Sequence, residues 1–340
     1  MRLKSSLLIL CMLLPLGPLQ AKTQIIKIAT LAPDGTNWMT KMRQAGDEIS
    51  RRTEGRVKLK FFPGGVMGNE NIALRKIRIG QLQGAALTST SLSKIAEGNH
   101  IFSLPLKFRS NEEMNFVRAK MDPIMIQRLD KEGFTAFKIA GDGFAYLLSK
   151  EPLNGLEDLK RQKVWIPEGD VISRALLEHA GISPISLPLT DVLTGLQTGL
   201  ITTVGASPGF AIALQWHTKV KYLVDLPIFY TYGAFVISNK AYNKIPARDR
   251  VIVREVIEKV LTSLNQENWE NNQKAKMALR QQGIKFITPD KAKMAGLLKL
   301  ADEVTKSLIK EGVFLDGDVR EVERLIGQYR QKASKLSHAN

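Results

Sequence analysis

The stretch Ile25-Ile26-Lys27-Ile28-Ala29-Thr30, then Ala32-Pro33-Asp34-Gly35-Thr36-Asn37, then an amphipathic run over residues 38–52, decides the fold class. Six mostly apolar, β-branched residues read as a buried strand, the Pro-Asp-Gly turn ends it, and the helical spacing beyond reads as an α-helix. The unit then recurs. Val57–Phe62 is a second strand ending at Pro63-Gly64-Gly65, residues 69–79 a second helix before Gly80, and Gly84–Thr88 a third strand stopping at Thr88-Ser89-Thr90-Ser91. Strands alternating with helices of this length predict a parallel α/β sheet whose strand ends form a ligand crevice.

A similar pattern restarts downstream: a short strand at 163–166, a helix at 171–180 and a strand at 183–187. Thr190 and Asp191 read as the cap of another helix that stops at Gly199, with a strand at 200–205 beyond. Two α/β modules are implied. Residues 146–149 and 234–238 each follow one module and precede the other, so they read as strands passing between them. From 247 to 282 there is no helix breaker, and Val251, Val253, Val256, Ile257, Val260, Leu261 and Leu264 form an apolar stripe at helical spacing. This is one long helix or two nearly collinear ones, extending about 50 Å at 1.5 Å per residue. A coiled-coil seam is the competing reading, against which the stripe fades into Asn265-Gln266-Glu267-Asn268. The exposed face, rich in Asn, Gln and Lys, suits a monomer.

At the N-terminus, Arg2 and Lys4 precede an apolar run over residues 7–16, then Gly17, Pro18 and the small Ala21. This is the pattern of a secretory signal peptide covering residues 1–21. The run falls short of the roughly 20 apolar residues of a spanning helix. Leu19, large for its position before the cut, leaves the boundary soft. The single cysteine, Cys11, lies inside this leader, so the exported chain is expected to have no disulfide, thiolate chemistry or cysteine-held metal. Its 44% hydrophobic and 24% charged residues are ordinary for a globular chain of two domains. The formal charge of +16 becomes +14 without Arg2 and Lys4. An anionic partner is one reading of that excess. A solvated basic surface is the other, favoured because no basic block with interleaved aromatics occurs; export argues against nucleic acid.

Catalytic signatures are missing. His100, His179, His217 and His338 stand apart from one another, with no pair at metal-ligand spacing, and no nucleophile elbow, phosphate loop or dinucleotide glycine pattern occurs. Glu112-Glu113 follows Arg109-Ser110-Asn111 at what reads as a helix start, where acids suit the dipole. A site assembled from distant residues would leave no local trace, so an enzyme stays open as an alternative. No metal and no cofactor is expected.

Three stretches carry a resemblance: Leu104-Pro105-Leu106-Lys107-Phe108-Arg109, Leu156-Glu157-Asp158-Leu159-Lys160 and Leu196-Gln197-Thr198-Gly199-Leu200-Ile201. In their order along the chain they resemble the DctP-type periplasmic solute receptors of TRAP transporters (solute-binding protein family 7), from Ile25 through the long helix. The resemblance implies an α/β, two-lobed periplasmic-binding-protein fold with hinge-crossing strands, a long helix spanning both lobes, and closure on a small-molecule ligand. It implies residues 22–147 with about 235–275 as one lobe, and 148–234 with about 276–340 as the other. It further implies periplasmic localisation and the transporter's membrane subunits as partner. A carrier of lipid-like ligands working with a periplasmic helical-repeat protein is the alternative binding role.

The family's usual Lys-Ile-Arg-x-Pro segment, whose arginine grips a ligand carboxylate, is here Lys163-Val164-Trp165-Ile166-Pro167. A second segment, often Gly-Phe-Arg, is Gly143-Phe144-Ala145-Tyr146, and a third runs Thr202-Thr203-Val204-Gly205-Ala206-Ser207-Pro208. An indole in place of a guanidinium offers an apolar face and one donor but no charge for a carboxylate. The expected ligand is therefore uncharged, apolar or cationic, with Trp165 stacking on it beside Phe144. Core packing is an equally good reading for Trp165 and Phe144, and the favoured one for the further candidates Tyr146, Phe210, Trp216 and Tyr232. From the first module, Asn37, Trp38, Thr88, Ser89 and Thr90 are expected at the crevice, as is Glu70 near a helix start; Ser207 belongs to the third divergent segment. Capping and turn chemistry would account for several of these equally well.

Overall fold

Thr36 ends the first turn by accepting the Met39 amide on its hydroxyl, and from there the apolar spacing carries α1 (Asn37–Arg52). It follows β1 (Gln24–Ala29) and leads to β2 (Val57–Phe62), α2 (Glu70–Arg78, capped by Asn69), β3 (Gly84–Thr88) and α3 (Ser89–Ser93). Next come α4 (Asn111–Lys131), β4 (Phe134–Ser149), α5 (Leu156–Lys160), β5 (Trp165–Pro167), α6 (Val171–His179) and β6 (Ile185–Leu187). The chain continues through α7 (Val192–Thr198), β7 (Thr203–Ala206), α8 (Pro208–Ala213), β8 (Tyr222–Val224), β9 (Phe229–Ser238) and α9 (Asn239–Tyr242). It closes with α10 (Ala247–Gln281), β10 (Lys285–Ile287), α11 (Lys291–Lys310) and α12 (Asp316–Ser337). The computed structural model describes residues 23–337. The leader read over residues 1–21, with Cys11, and His338 lie outside them.

The main sheet runs β10-β8-β4-β9-β3-β1-β2, with β7 also on β4, and β5 and β6 pair apart. It is mixed, not the parallel sheet expected. β1 pairs parallel with β2 and β3, but β9 is antiparallel to both β3 and β4. The reason is β4, a sixteen-residue strand of which the sequence reading saw only residues 146–149. Its first part lies beside β9, its last four residues pair with β7, and β8 joins at Leu148 and Ser149. One strand thus serves both lobes, and β9 returns against it. Three starts shift as well: β5, β6 and β7 each begin later than read, at Trp165, Ile185 and Thr203. Thr190 and Asp191 form a 3-10 turn without a side-chain cap, Thr190 Oγ1 donating to Asp191 instead. Gly199 does end α7, in the left-handed conformation at φ 74°.

The long helix is a single element, α10, packed on α1 and β4. Val253, Val256, Ile257, Leu261 and Leu264 are buried against Ile26, Ile28, Met39, Met42 and Ile49. Each such side chain contributes about 1.5–3 kcal/mol. Val251 points to solvent. In the first turn of the same helix, the fully buried Asp249 takes a two-pronged bond from Arg56, at 2.9 and 3.0 Å.

The two C-terminal helices pack on different elements. α11 packs on α6 of the second module, but α12 lies on α4, burying Val319, Val322 and Leu325 with Met114, Val117 and Met121. Arg330 locks the contact by gripping Glu113, 2.7 and 3.1 Å away. Glu113 also accepts the Arg109 amide while Ser110 caps its own, so the Glu112-Glu113 pair is a helix start.

Candidate functional site: the cleft between the lobes

At the middle of β4 the pairing with β9 slips: Gly141 faces Tyr232, Gly143 faces Thr231, and Asp142 between them has no partner across the ladder. This is a β-bulge, which bends a strand and re-aims a side chain. Both flanking glycines are required. A Cβ on Gly141 would meet the Tyr230 hydroxyl at 2.0 Å, and Gly143 sits at φ 125° with the Asn272 amide 2.7 Å from its would-be Cβ.

The backbone groups freed by the bulge find partners on α10. Asn265 accepts the Gly141 amide at 2.8 Å and donates to the Ile139 carbonyl at 3.0 Å. Asn268 donates to Gly141 and Asn272 to Asp142, both at 2.5 Å. Asn272 also accepts the Gly209 amide of α8 at 3.0 Å. The stripe of α10 therefore does not fade after Leu264. It changes from apolar to asparagine at the same helical spacing.

Above the bulge is a cleft of about 1210 Å³ reaching both modules. Of the residues proposed from sequence, Trp38, Glu70, Thr88, Ser89, Thr90, Trp165, Ser207, Phe210, Trp216 and Tyr232 line it. Asn37, Phe144 and Tyr146 do not. The Asn37 amide donates to Glu267 at 3.3 Å on the outer surface. Phe144 is buried edge-on to Tyr230, ring centres 5.4 Å apart, because the bulge reverses which face of β4 it occupies. Tyr146 carries the Lys276 ammonium over its ring at 4.5 Å.

Trp165 reaches the cleft with only 5% of its surface exposed. Its indole N–H donates to the Leu187 carbonyl at 3.1 Å and its ring stands edge-on to Trp216 at 5.2 Å. It is a fixed apolar wall with no donor left for a ligand.

No arginine lines the cleft among the described residues, and two of the carboxylates that do, Glu70 and Asp142, are held without one. Glu70 accepts the Thr88 amide at 2.9 Å, the Thr88 hydroxyl at 2.7 Å and the Ser91 hydroxyl. Burial raises its pKa above the ordinary carboxylate range, opposed by these hydrogen bonds. Asp142 Oδ2 accepts the Ser207 hydroxyl at 2.5 Å and the Thr231 hydroxyl at 3.0 Å. Burial raises its pKa too, with only those hydroxyls in opposition. At the rim, Glu168 of the second module accepts Asn69 and Asn71 of the first at 3.2 and 3.3 Å, and Lys94 donates to Asn71 at 2.9 Å.

Sequence reasoning missed Asp142, Thr231, Asn268 and Glu168. For Asp142 a signal existed: an acid between two glycines, Gly141-Asp142-Gly143, inside a run otherwise fit for a strand. The others had none, since each acts through a partner distant in sequence.

Two lobes sharing long strands, a helix across both, and a cleft between them define a solute receptor. The chain belongs to family 7 of the bacterial extracellular solute-binding proteins, the DctP family, whose model matches residues 28–311. An uncharacterized Haemophilus influenzae protein is 24% identical over 290 residues, 83% of each chain. A TRAP periplasmic solute-binding protein of Sulfurospirillum deleyianum with bound succinate superposes with a TM-score of 0.82 at 17% identity, covering 89% of this chain and 99% of that one. One from Haemophilus influenzae with bound L-gulonate gives 0.81 at 19%, with the same coverage. Likeness at that identity shows the shared fold. Among the described residues, no helix is long and apolar enough to cross a membrane.

Proposed function

We propose that this chain is the periplasmic receptor of a TRAP-type transporter, taking a solute that is not a simple carboxylate and delivering it to the transporter's membrane subunits. The solute-bound relatives in the preceding section hold acids, and this chain shares their fold. The observation that carries the different ligand reading is the lining of the cleft. It offers no guanidinium to an acid, its walls include Trp38, Trp165, Phe210 and Trp216, and its interior carboxylates are Glu70 and Asp142. A buried carboxylate repels a second one; Lys94 acts on Glu70 only from the rim, where it donates to Asn71, and among the described residues no cation acts on Asp142.

Signal-peptide export at residues 1–21 and the lobe boundary within β4 belong to the same reading. So does closure, with Glu168 meeting Asn69 and Asn71 across the rim. Neither the helical-repeat partner nor an enzymatic role gains an observation from the cleft. Calorimetry with succinate and L-gulonate tests the ligand reading: neither is expected to bind, and micromolar binding of either overturns it. Native mass spectrometry of the protein from its own periplasm should show a neutral or basic co-purifying solute.

A further inference from the structure

Asp142 is held more elaborately than a structural carboxylate needs. It is the extra residue of a bulge, flanked by two glycines that admit no side chain, and its own carbonyl is bonded to Asn272. Its Oδ2 is occupied by Ser207 and Thr231, from α8 and β9. Its Oδ1 accepts no hydrogen bond among the described residues, and no Lys or Arg pairs with the group. Ser207 is itself fixed, accepting the Phe210 amide at 3.2 Å as the cap of α8. Phe210 lies one turn further on and also lines the cleft.

We propose that Asp142 Oδ1 is the specificity-determining contact of the cleft and receives a nitrogen cation, a protonated amine or guanidinium, carried on a solute whose apolar body packs toward Phe210. The proposal rests on the preceding reading of the cleft and adds the charge of the solute to it. A charge-assisted bond to a fixed carboxylate in a partly desolvated site is about twice as strong as a neutral one. It also supplies the counter-charge that the protein does not. Glu70 plays no such part, because its oxygens are already filled by Thr88 and Ser91.

Three probes of matched size test this: 2-phenylethylamine, 2-phenylethanol and phenylacetate, titrated calorimetrically into the full exported chain after unfolding and refolding to strip bound solute. The amine is expected to bind at least ~10-fold tighter than the alcohol, and the acid not at all. Asp142→Asn should abolish the preference for the amine, since the amide carries no charge while its oxygen can still accept Ser207 and Thr231. An amine no tighter than the alcohol, whether both bind or neither does, overturns the proposal but leaves the non-carboxylate reading standing. Phenylacetate as the tightest of the three overturns both. The wild-type comparison decides the matter even if the variant fails to fold.

Discussion

Replacing Asn272 by alanine should destabilise the protein far more than its single amide suggests. Asn272 is only 8% exposed, and its side chain joins three elements: it donates to the Asp142 carbonyl in β4, accepts the Gly209 amide in α8, and sits on α10. Truncation leaves one carbonyl and one amide without partners. Each costs about 1–3 kcal/mol if it stays dry. The cleft lets water reach part of the gap, which favours the lower end, so the expected loss is about 2–3 kcal/mol. Urea denaturation followed by fluorescence measures it as a shift in midpoint at unchanged slope. Amide exchange adds a local check: Gly209 should exchange faster in the variant, whereas Gly141, bonded to Asn265, should keep most of its protection. A loss below about 0.5 kcal/mol, or equal acceleration at both glycines, would refute the view that the asparagines act as separate backbone partners.

Other substitutions probe other parts. Arg56→Met strands the fully buried Asp249 and should cost about 3–5 kcal/mol, read from the same denaturation curves; a cost under about 1 kcal/mol would show that water reaches that carboxylate. Asp142 keeps its proton to higher pH in the folded than in the unfolded chain, so its contribution to stability is full in acid and is lost as pH rises through the raised pKa. Asp142→Asn should remove that slope and make the empty receptor more stable near neutrality, seen in melting curves at acid and neutral pH. Glu168→Ala removes the contacts with Asn69 and Asn71 at the rim and should leave stability nearly unchanged while enlarging the radius of gyration in solution scattering. No change in radius would show that closure does not depend on it.

How much of this was legible in the sequence follows from the range of the forces. The first module, with its turn at Pro33-Asp34-Gly35 and strands ending at glycine or hydroxyl residues, was readable because caps and periodicity are local. So was α10, whose stripe is written in one uninterrupted helix. The first part of β4 was not, because Gly141-Asp142-Gly143 resembles a break between elements; it takes Asn265, Asn268 and Asn272 to make it a bulge within one strand. The same bulge misdirects any count along the strand. Side chains alternate between faces, and one extra residue changes the parity, which parts Asp142, at the cleft, from Phe144, in the core. The placement of α12 on α4 depended on the Arg330–Glu113 grip between residues 217 apart, a pairing that no local pattern announces.

The asparagine row also bears on the order in which the molecule can be completed. Its bonds to β4 join residues 124 to 130 positions apart, so the backbone groups of Gly141 and Asp142 that the bend frees have no side-chain partners until some 270 residues have been made and α10 has docked. A nascent β4 would find its cheapest state as a regular ladder, with Asp142 and Phe144, two residues apart, on one and the same face. The shape of the cleft floor is in this sense a late decision, taken by the helix and not by the strand, and a chain cut before α10 would possess the wall residues without the contour that gives them a common target.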